Sequence, residues 1–146
     1  MNQMKIVPVL LLVVMMLSMT ACGTAGGTGG SGDGQKAADY VSITAEEAKD
    51  MMDAEQDYII LDVRTEEEFA EGHIPGAVLI PDYEIGERAR EMLPDKEQLI
   101  FVYCRSGNRS KKASAELAEM GYTNVKEFGG IIDWPYETEK GTSGVQ

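Results

Sequence analysis

Between residues 40 and 137 the apolar positions come in short blocks set apart by longer polar stretches. Four blocks, "YIILDV" (58–63), "AVLIP" (77–81), "LIFVYC" (99–104) and "NVKEF" (124–128), are rich in β-branched and aromatic residues and predict strands. The first and third are nearly unbroken apolar runs, as expected of strands covered on both faces of a parallel sheet. Helical signals lie between them. Thr44 with Glu47, and Thr65 with Glu68, have the three-residue spacing of capping boxes, so helices should begin just after each threonine. From about Arg109 to Met120, Ala113, Leu117 and Met120 fall on one helical face, and Gly121 supplies a stop. Strands alternating with helices over a single domain's length predict an α/β fold built on an open sheet.

The two ends follow different patterns. The opening segment "MNQMKIVPVLLLVVMMLSMTACG" holds one lysine and an apolar stretch from Ile6 to Leu17. That stretch is shorter than the roughly 20 residues a membrane-spanning helix needs, and it fits the hydrophobic region of an export signal. Reading it as a buried helix of the domain is opposed by the Gly-rich sequence behind it, which would leave it undocked. Met19-Thr20-Ala21-Cys22 resembles the lipobox of bacterial lipoproteins, which implies cleavage before Cys22 and lipid on its sulfur. Two or more acyl chains anchor a protein stably. Residues 23–39, "GTAGGTGGSGDGQKAAD", lack apolar periodicity and read as a flexible tether with a root-mean-square reach of about 20 to 25 Å. The expected organisation is an export signal at 1–21, a lipid-anchored tether at 22–39, a domain at 40–137 and a polar tail at 138–146, held at the outer face of the bacterial cytoplasmic membrane.

Charge narrows the partners. The net charge of −12 argues against nucleic acid or an anionic lipid surface as the main partner, and repulsion between copies favours a monomer. Cysteines stand only at positions 22 and 104, so with Cys22 lipidated Cys104 is left without an intramolecular disulfide partner.

Cys104 closes the third apolar run and is followed by Arg105-Ser106-Gly107-Asn108-Arg109, after which the helix begins. In open α/β sheets ligands bind beyond the carboxyl ends of strands, where a helix N-terminus presents unpaired N–H groups and a positive partial charge. With Gly107 free to take a positive φ, the loop N–H groups can curl around whatever the sulfur carries. A cysteine in that setting, beside arginines, can have its pKa lowered to between about 3.5 and 7.5. Arg105 and Arg109, helped by Lys111 and Lys112, should form a positive spot in an acidic protein. The plain alternative is an inert buried cysteine, but arginines are poor company for one.

These residues resemble the rhodanese-like domains. The resemblance runs from about Val41 to Trp134 and rests on "LDVRTEEEFAEGHIPGAVLIP" (61–81), "VYCRSGNRS" (102–110) and "GGIIDW" (129–134) in that order. It implies a five-stranded parallel sheet flanked by helices on both faces, and sulfur carried as a persulfide on Cys104 with Arg105 to Arg109 as its cradle. The implied activity is sulfurtransferase, from an anionic donor such as thiosulfate to a thiol or cyanide. A persulfide carrier with little turnover is a second reading. Cysteine phosphatases are a third, opposed by the loop: C-x-x-x-x-R spans six residues, one fewer than those enzymes carry, and no acid lies in or just after it to protonate a leaving alkoxide.

Asp62 and Arg64 leave a neighbouring strand toward the same rim. Asp62 is expected to receive loop N–H groups or an arginine and hold the cradle in shape. Arg64 stands between binding the donor anion and pairing with nearby glutamates at the surface. His73, the only histidine, enters a turn at "EGHIPGA" and reads as structural, since a preformed thiolate needs no base. One histidine is also too few for a Cys/His metal site, and no G-x-G-x-x-G or P-loop signals a cofactor. Trp134 reads as packing, and Asp133 and Glu66-Glu67-Glu68 as solvated helix faces.

Overall fold

The computed structural model describes residues 39–145; the expected signal, tether and Cys22 lie outside the described residues. The elements are β1 (Val41–Ser42), α1 (Ala45–Ala54), β2 (Tyr58–Asp62), α2 (Glu66–Glu71), β3 (Val78–Leu79), α3 (Ile85–Met92), β4 (Leu99–Cys104), α4 (Asn108–Glu119) and β5 (Val125–Gly130). Short 3₁₀ turns occupy Asp82–Glu84 and Ile131–Asp133. All strand pairs are parallel, and the five strands lie in the order β1-β5-β4-β2-β3. This is the α/β sheet the sequence predicts, with β4 at its centre.

Both capping boxes form. Thr44 Oγ1 accepts from the Glu47 amide while Glu47 receives the Thr44 amide, and Thr65 with Glu68 repeats the exchange. Each box satisfies two of the amides that a helix start leaves orphaned. The helix α3 was not expected from the sequence, although Ile85, Ala89 and Leu93 stand at a stride of four and all are buried.

Alternate residues of the central strands feed two cores. Leu61, Val63, Ile100, Val102 and Cys104 pack with Ile85 and Ala89 of α3 and Ala113 and Leu117 of α4. Ile60, Phe101 and Tyr103 pack on the opposite face with Ala48 and Met52 of α1, Phe69 of α2 and Trp134. The period of two along β4 therefore points Cys104 toward α4. Burying these side chains on both sheet faces is what makes an unbroken apolar strand favourable.

The segment from 138 onward, expected as a polar tail, returns to the domain. Glu139 and His73 exchange backbone hydrogen bonds at 2.8 Å, and Gly144 accepts from the Leu79 amide at 3.1 Å. These bonds satisfy amides beside the short edge strand β3 that water would otherwise have to serve.

Candidate active site

Cys104 ends β4 and is only 1% exposed. The chain then turns through Arg105, Ser106 and Gly107 into α4. Gly107 takes φ 98°, as the sequence predicts, and caps α4 without a side-chain hydrogen bond. Its amide donates to Cys104 Sγ at 3.0 Å. The loop also needs room beneath it: a Cβ on Gly130 would lie 2.0 Å from the Arg105 carbonyl oxygen. That close approach explains the second glycine of "GG" at 129–130, since any side chain there would push the loop off the sheet.

Burial pushes the Cys104 thiol up, but hydrogen bonds from the Ser110 hydroxyl and from the amides of Ser110, Ser106 and Gly107 outweigh it and leave the thiol below its ordinary range. The thiolate is thus favoured by the loop's own donors, with no base in contact.

Arg109 is not a free cation at the rim. It makes a bidentate pair with Glu68 of α2 at 2.7 and 2.8 Å, which holds Glu68 down to about 2 and raises Arg109 above its usual range. Glu68 therefore both caps α2 and braces α4, where the sequence suggested a solvated face; Glu66 and Glu67 beside it are exposed, as expected. Arg109 also senses the charge on Cys104. Arg105, Ser106 and Asn108 are exposed around the thiol, with Lys111 and Lys112 exposed a turn further along α4.

An Arg109→Ala chain exposes the consequence of this pairing. It removes a positive charge and at the same time frees the Glu68 carboxylate to repel an anionic donor. If the loop takes up an anionic sulfur donor such as thiosulfate, kcat/KM should fall about tenfold at low salt, with a smaller loss at high salt, and the double change Arg109→Ala with Glu68→Gln should recover part of it. An unchanged rate at low salt removes Arg109 from donor capture.

Asp62 receives an arginine, one of the two partners expected of it, whereas Arg64 lies in the interior and not at the rim. Asp62 is fully buried and accepts from the Arg64 amide at 2.9 Å, from Nε at 3.0 and 3.1 Å and from Nη2 at 2.6 Å. Among the described residues its hydrogen bonds go to Arg64 and not to the Cys104 loop. Arg64 is 5% exposed, reaches on to the Gly72 carbonyl at 2.7 Å and lies over the Tyr103 ring. It is not a surface ion pair with glutamates: Asp62 two residues back and the Gly72 carbonyl hold its Nε and Nη2 in the interior. The pair ties the end of β2 to the turn that leads into β3.

His73 is fully buried, stacks on Phe69 with ring centroids 3.7 Å apart and places Nδ1 2.9 Å from the Phe69 carbonyl. Its Nε2 faces Glu139 at 3.3 Å. Trp134 is 8% exposed, packs on Phe128 and donates from Nε1 to the Glu137 carbonyl at 3.2 Å. Both side chains have structural surroundings, in line with the sequence reading. Asp133 is exposed.

Sequence reasoning missed what lies under the loop. Ser110 and Glu127 are buried at 0% and 1%, and Ser110 Oγ stands 3.5 Å from Cys104 Sγ and 2.7 Å from Glu127 Oε1. A glutamate inside a predicted strand, "NVKEF", two places before "GG", was the available signal.

Comparison with known proteins agrees with this architecture. The family described as Rhodanese-like domain matches residues 44–135. A thiosulfate sulfurtransferase of Escherichia coli (strain K12), PspE, is 41% identical over 81 residues, covering 56% of this chain and 78% of that protein. A putative sulfur carrier protein of Bacillus subtilis (strain 168), YrkF, is 36% identical over 106 residues, covering 72% of this chain and 56% of its own length. Among solved structures, a rhodanese with anions from E. coli superposes with a TM-score of 0.55 at 39% identity, covering 57% of this chain and 99% of that one. A five-stranded parallel sheet that ends its central strand in a cysteine loop, matched along most of the described domain, makes this chain a member of the rhodanese-like domain family.

Proposed function

We propose that this protein transfers sulfane sulfur through a persulfide on Cys104, from an anionic donor such as thiosulfate to a thiophilic acceptor such as cyanide or a thiol. The observation that carries the reading is a thiol at the carboxyl end of the central strand, lowered by the donors of its own loop. In the loading step the Cys104 thiolate attacks the outer sulfur of thiosulfate, the S–S bond breaks, and sulfite leaves with the bonding pair. In the unloading step the acceptor attacks the outer sulfur of the persulfide, and Cys104 is released as thiolate. Neither leaving group needs a proton. Arg105 to Arg109 supply the amides and positive charge around the persulfide's single outer anion.

Two observations set this apart from phosphate hydrolysis. The six-residue ring from Cys104 to Arg109 is narrow for a phosphoryl group. Glu68, the acid beside Arg109, is held at about 2 and is ionised at neutral pH, so it has no proton to give an alkoxide. Protein incubated with thiosulfate should gain the mass of one sulfur atom on the Cys104 peptide and lose it on adding cyanide, without hydrolysing aryl phosphates. Phosphatase activity that vanishes in Cys104→Ser, with no persulfide formed, overturns the assignment. The carrier reading, favoured by the name borne by YrkF, shares the persulfide and predicts the same mass gain with little steady-state turnover.

We further propose export and lipid anchoring through Cys22, with the tether holding the domain off the outer face of the membrane. The lipobox-like Met19-Thr20-Ala21-Cys22 supports it. Protein recovered from the cell envelope should begin at Cys22 with acyl chains attached, and an unmodified Cys22 in mature protein overturns the anchor.

A further inference from the structure

Below the loop runs a continuous line of hydrogen-bonding groups with a carboxylate at its end. Cys104 Sγ faces Ser110 Oγ at 3.5 Å, and Ser110 Oγ stands 2.7 Å from Glu127 Oε1, closer than to the carbonyls of Gly107 at 3.0 Å or Gly129 at 3.3 Å. Glu127 receives the Gly129 amide at 2.8 Å and the Ser42 hydroxyl at 3.1 Å. Among the described residues no cation is its partner, which is unusual for a carboxyl group only 1% exposed. The charged groups facing the cluster are Arg109 from α4 and, paired with it, Glu68 from α2; β1 brings only the Ser42 hydroxyl. Lys126, the preceding residue of β5, belongs to the opposite face of the sheet by the period of two.

A serine hydroxyl has one proton to donate, so its direction couples the two ends. When Cys104 is a thiol, its S–H donates to Ser110 Oγ and the Ser110 proton points to the Glu127 carboxylate. When Cys104 is a thiolate, Ser110 donates to the sulfur only if its proton no longer points to Glu127, and a proton on Glu127 restores the 2.7 Å contact in the opposite direction. From this geometry we infer that Cys104 and Glu127 share a single proton through the Ser110 hydroxyl, so that Glu127 is a positioning residue for the reacting thiol. The shift moves the thiol proton to Ser110 Oγ and the Ser110 proton to Glu127 Oε1, with no net gain or loss. The buried cluster then keeps one negative charge in either form, and the thiolate is produced without adding a second uncompensated charge to the interior.

The inference rests on Cys104 being the reacting thiol, but its test reads titration and not sulfur transfer. The thiolate absorbance of the full chain, taken as the difference from Cys104→Ser, follows Cys104 alone from about pH 4 to about pH 10. Two sites sharing a proton titrate in two macroscopic steps, so the native chain should show two and Glu127→Gln one. A single step in the native chain, or two steps that survive in Glu127→Gln, overturns the shared proton. Should Glu127→Gln fail to fold, infrared spectra of the native chain decide. A protonated-carboxyl band at neutral pH that is lost in Cys104→Ser supports the inference, and a band that is absent or unaffected by that change overturns it. Loss of thiocyanate formation with the two-step titration intact would count against the proposed function and leave the relay standing.

Discussion

Cys104→Ser should abolish thiocyanate formation from thiosulfate and cyanide, a loss on the order of 10⁴-fold or more, as when a covalent nucleophile is deleted. Sulfur is what the step needs. A serine hydroxyl in the same cradle stays protonated at neutral pH, because its pKa lies far above anything the loop amides can offset. The fold should be little disturbed, since the change keeps the shape of a side chain packed among Leu61, Val102 and Ala113 and leaves a hydroxyl in reach of the Gly107 amide and Ser110. In unprocessed protein that carries no lipid, Cys22 keeps a free thiol and serves as an internal control. A Cys104→Ser chain that keeps a substantial fraction of the rate would place the chemistry on another group, and sulfur found on the Cys22 peptide would name it.

The parts of this site that were legible in the sequence are the parts fixed by near neighbours. The β4 run, the cysteine at its end, Gly107 and the α4 start lie within a dozen residues, and the two capping boxes span three residues each. Local spacing carries such features because the interacting groups are held together by one turn of chain. What was not legible depends on partners chosen by the fold. Arg109 meets Glu68 across 41 residues, and Ser110 meets Glu127 across 17, so a rim cation and a solvated glutamate turned out to neutralise each other. Asp62 and Arg64 are adjacent enough to suggest a pair, but their burial follows from how β2 sits between β4 and β3. The helix α3 escaped notice because its buried positions, Ile85, Ala89 and, just past its end, Leu93, are spaced among charged residues that read as loop.

These far contacts divide the carboxyl rim into two units. One is the Cys104 loop, braced from outside by Glu68 through Arg109 and from beneath by Glu127 through Ser110. The other is the Asp62–Arg64 pair, which supports β2 and the Gly72 turn; its hydrogen bonds reach neither the thiol nor its loop, and Arg64 meets the first unit only through its field at Glu68. Changes in the first unit should show in rates and titrations. Changes in the second should show in stability.

Asp62→Asn is the sharpest test of that division. The substitution keeps the size of the side chain and removes its charge, leaving the Arg64 guanidinium buried at 5% exposure with an amide where a carboxylate stood. Breaking a buried ion pair from one side costs about 3 to 5 kcal/mol, because the surviving charge is neither solvated nor matched. A domain of this size has roughly 5 to 15 kcal/mol of stability in total, so the loss should move the denaturant midpoint by a large fraction of its value. Removing both charges reverses the logic: Asp62→Leu combined with Arg64→Met leaves no orphan and should recover most of the stability. The remaining folded Asp62→Asn protein should transfer sulfur at close to the native rate per folded molecule, because the pair's hydrogen bonds do not reach the loop and Arg64 keeps its charge. Unfolding curves within about 0.5 kcal/mol of the native chain would show that Arg64 finds water after all. A severe loss of rate in folded Asp62→Asn would instead restore Asp62 to the cradle it was first expected to hold.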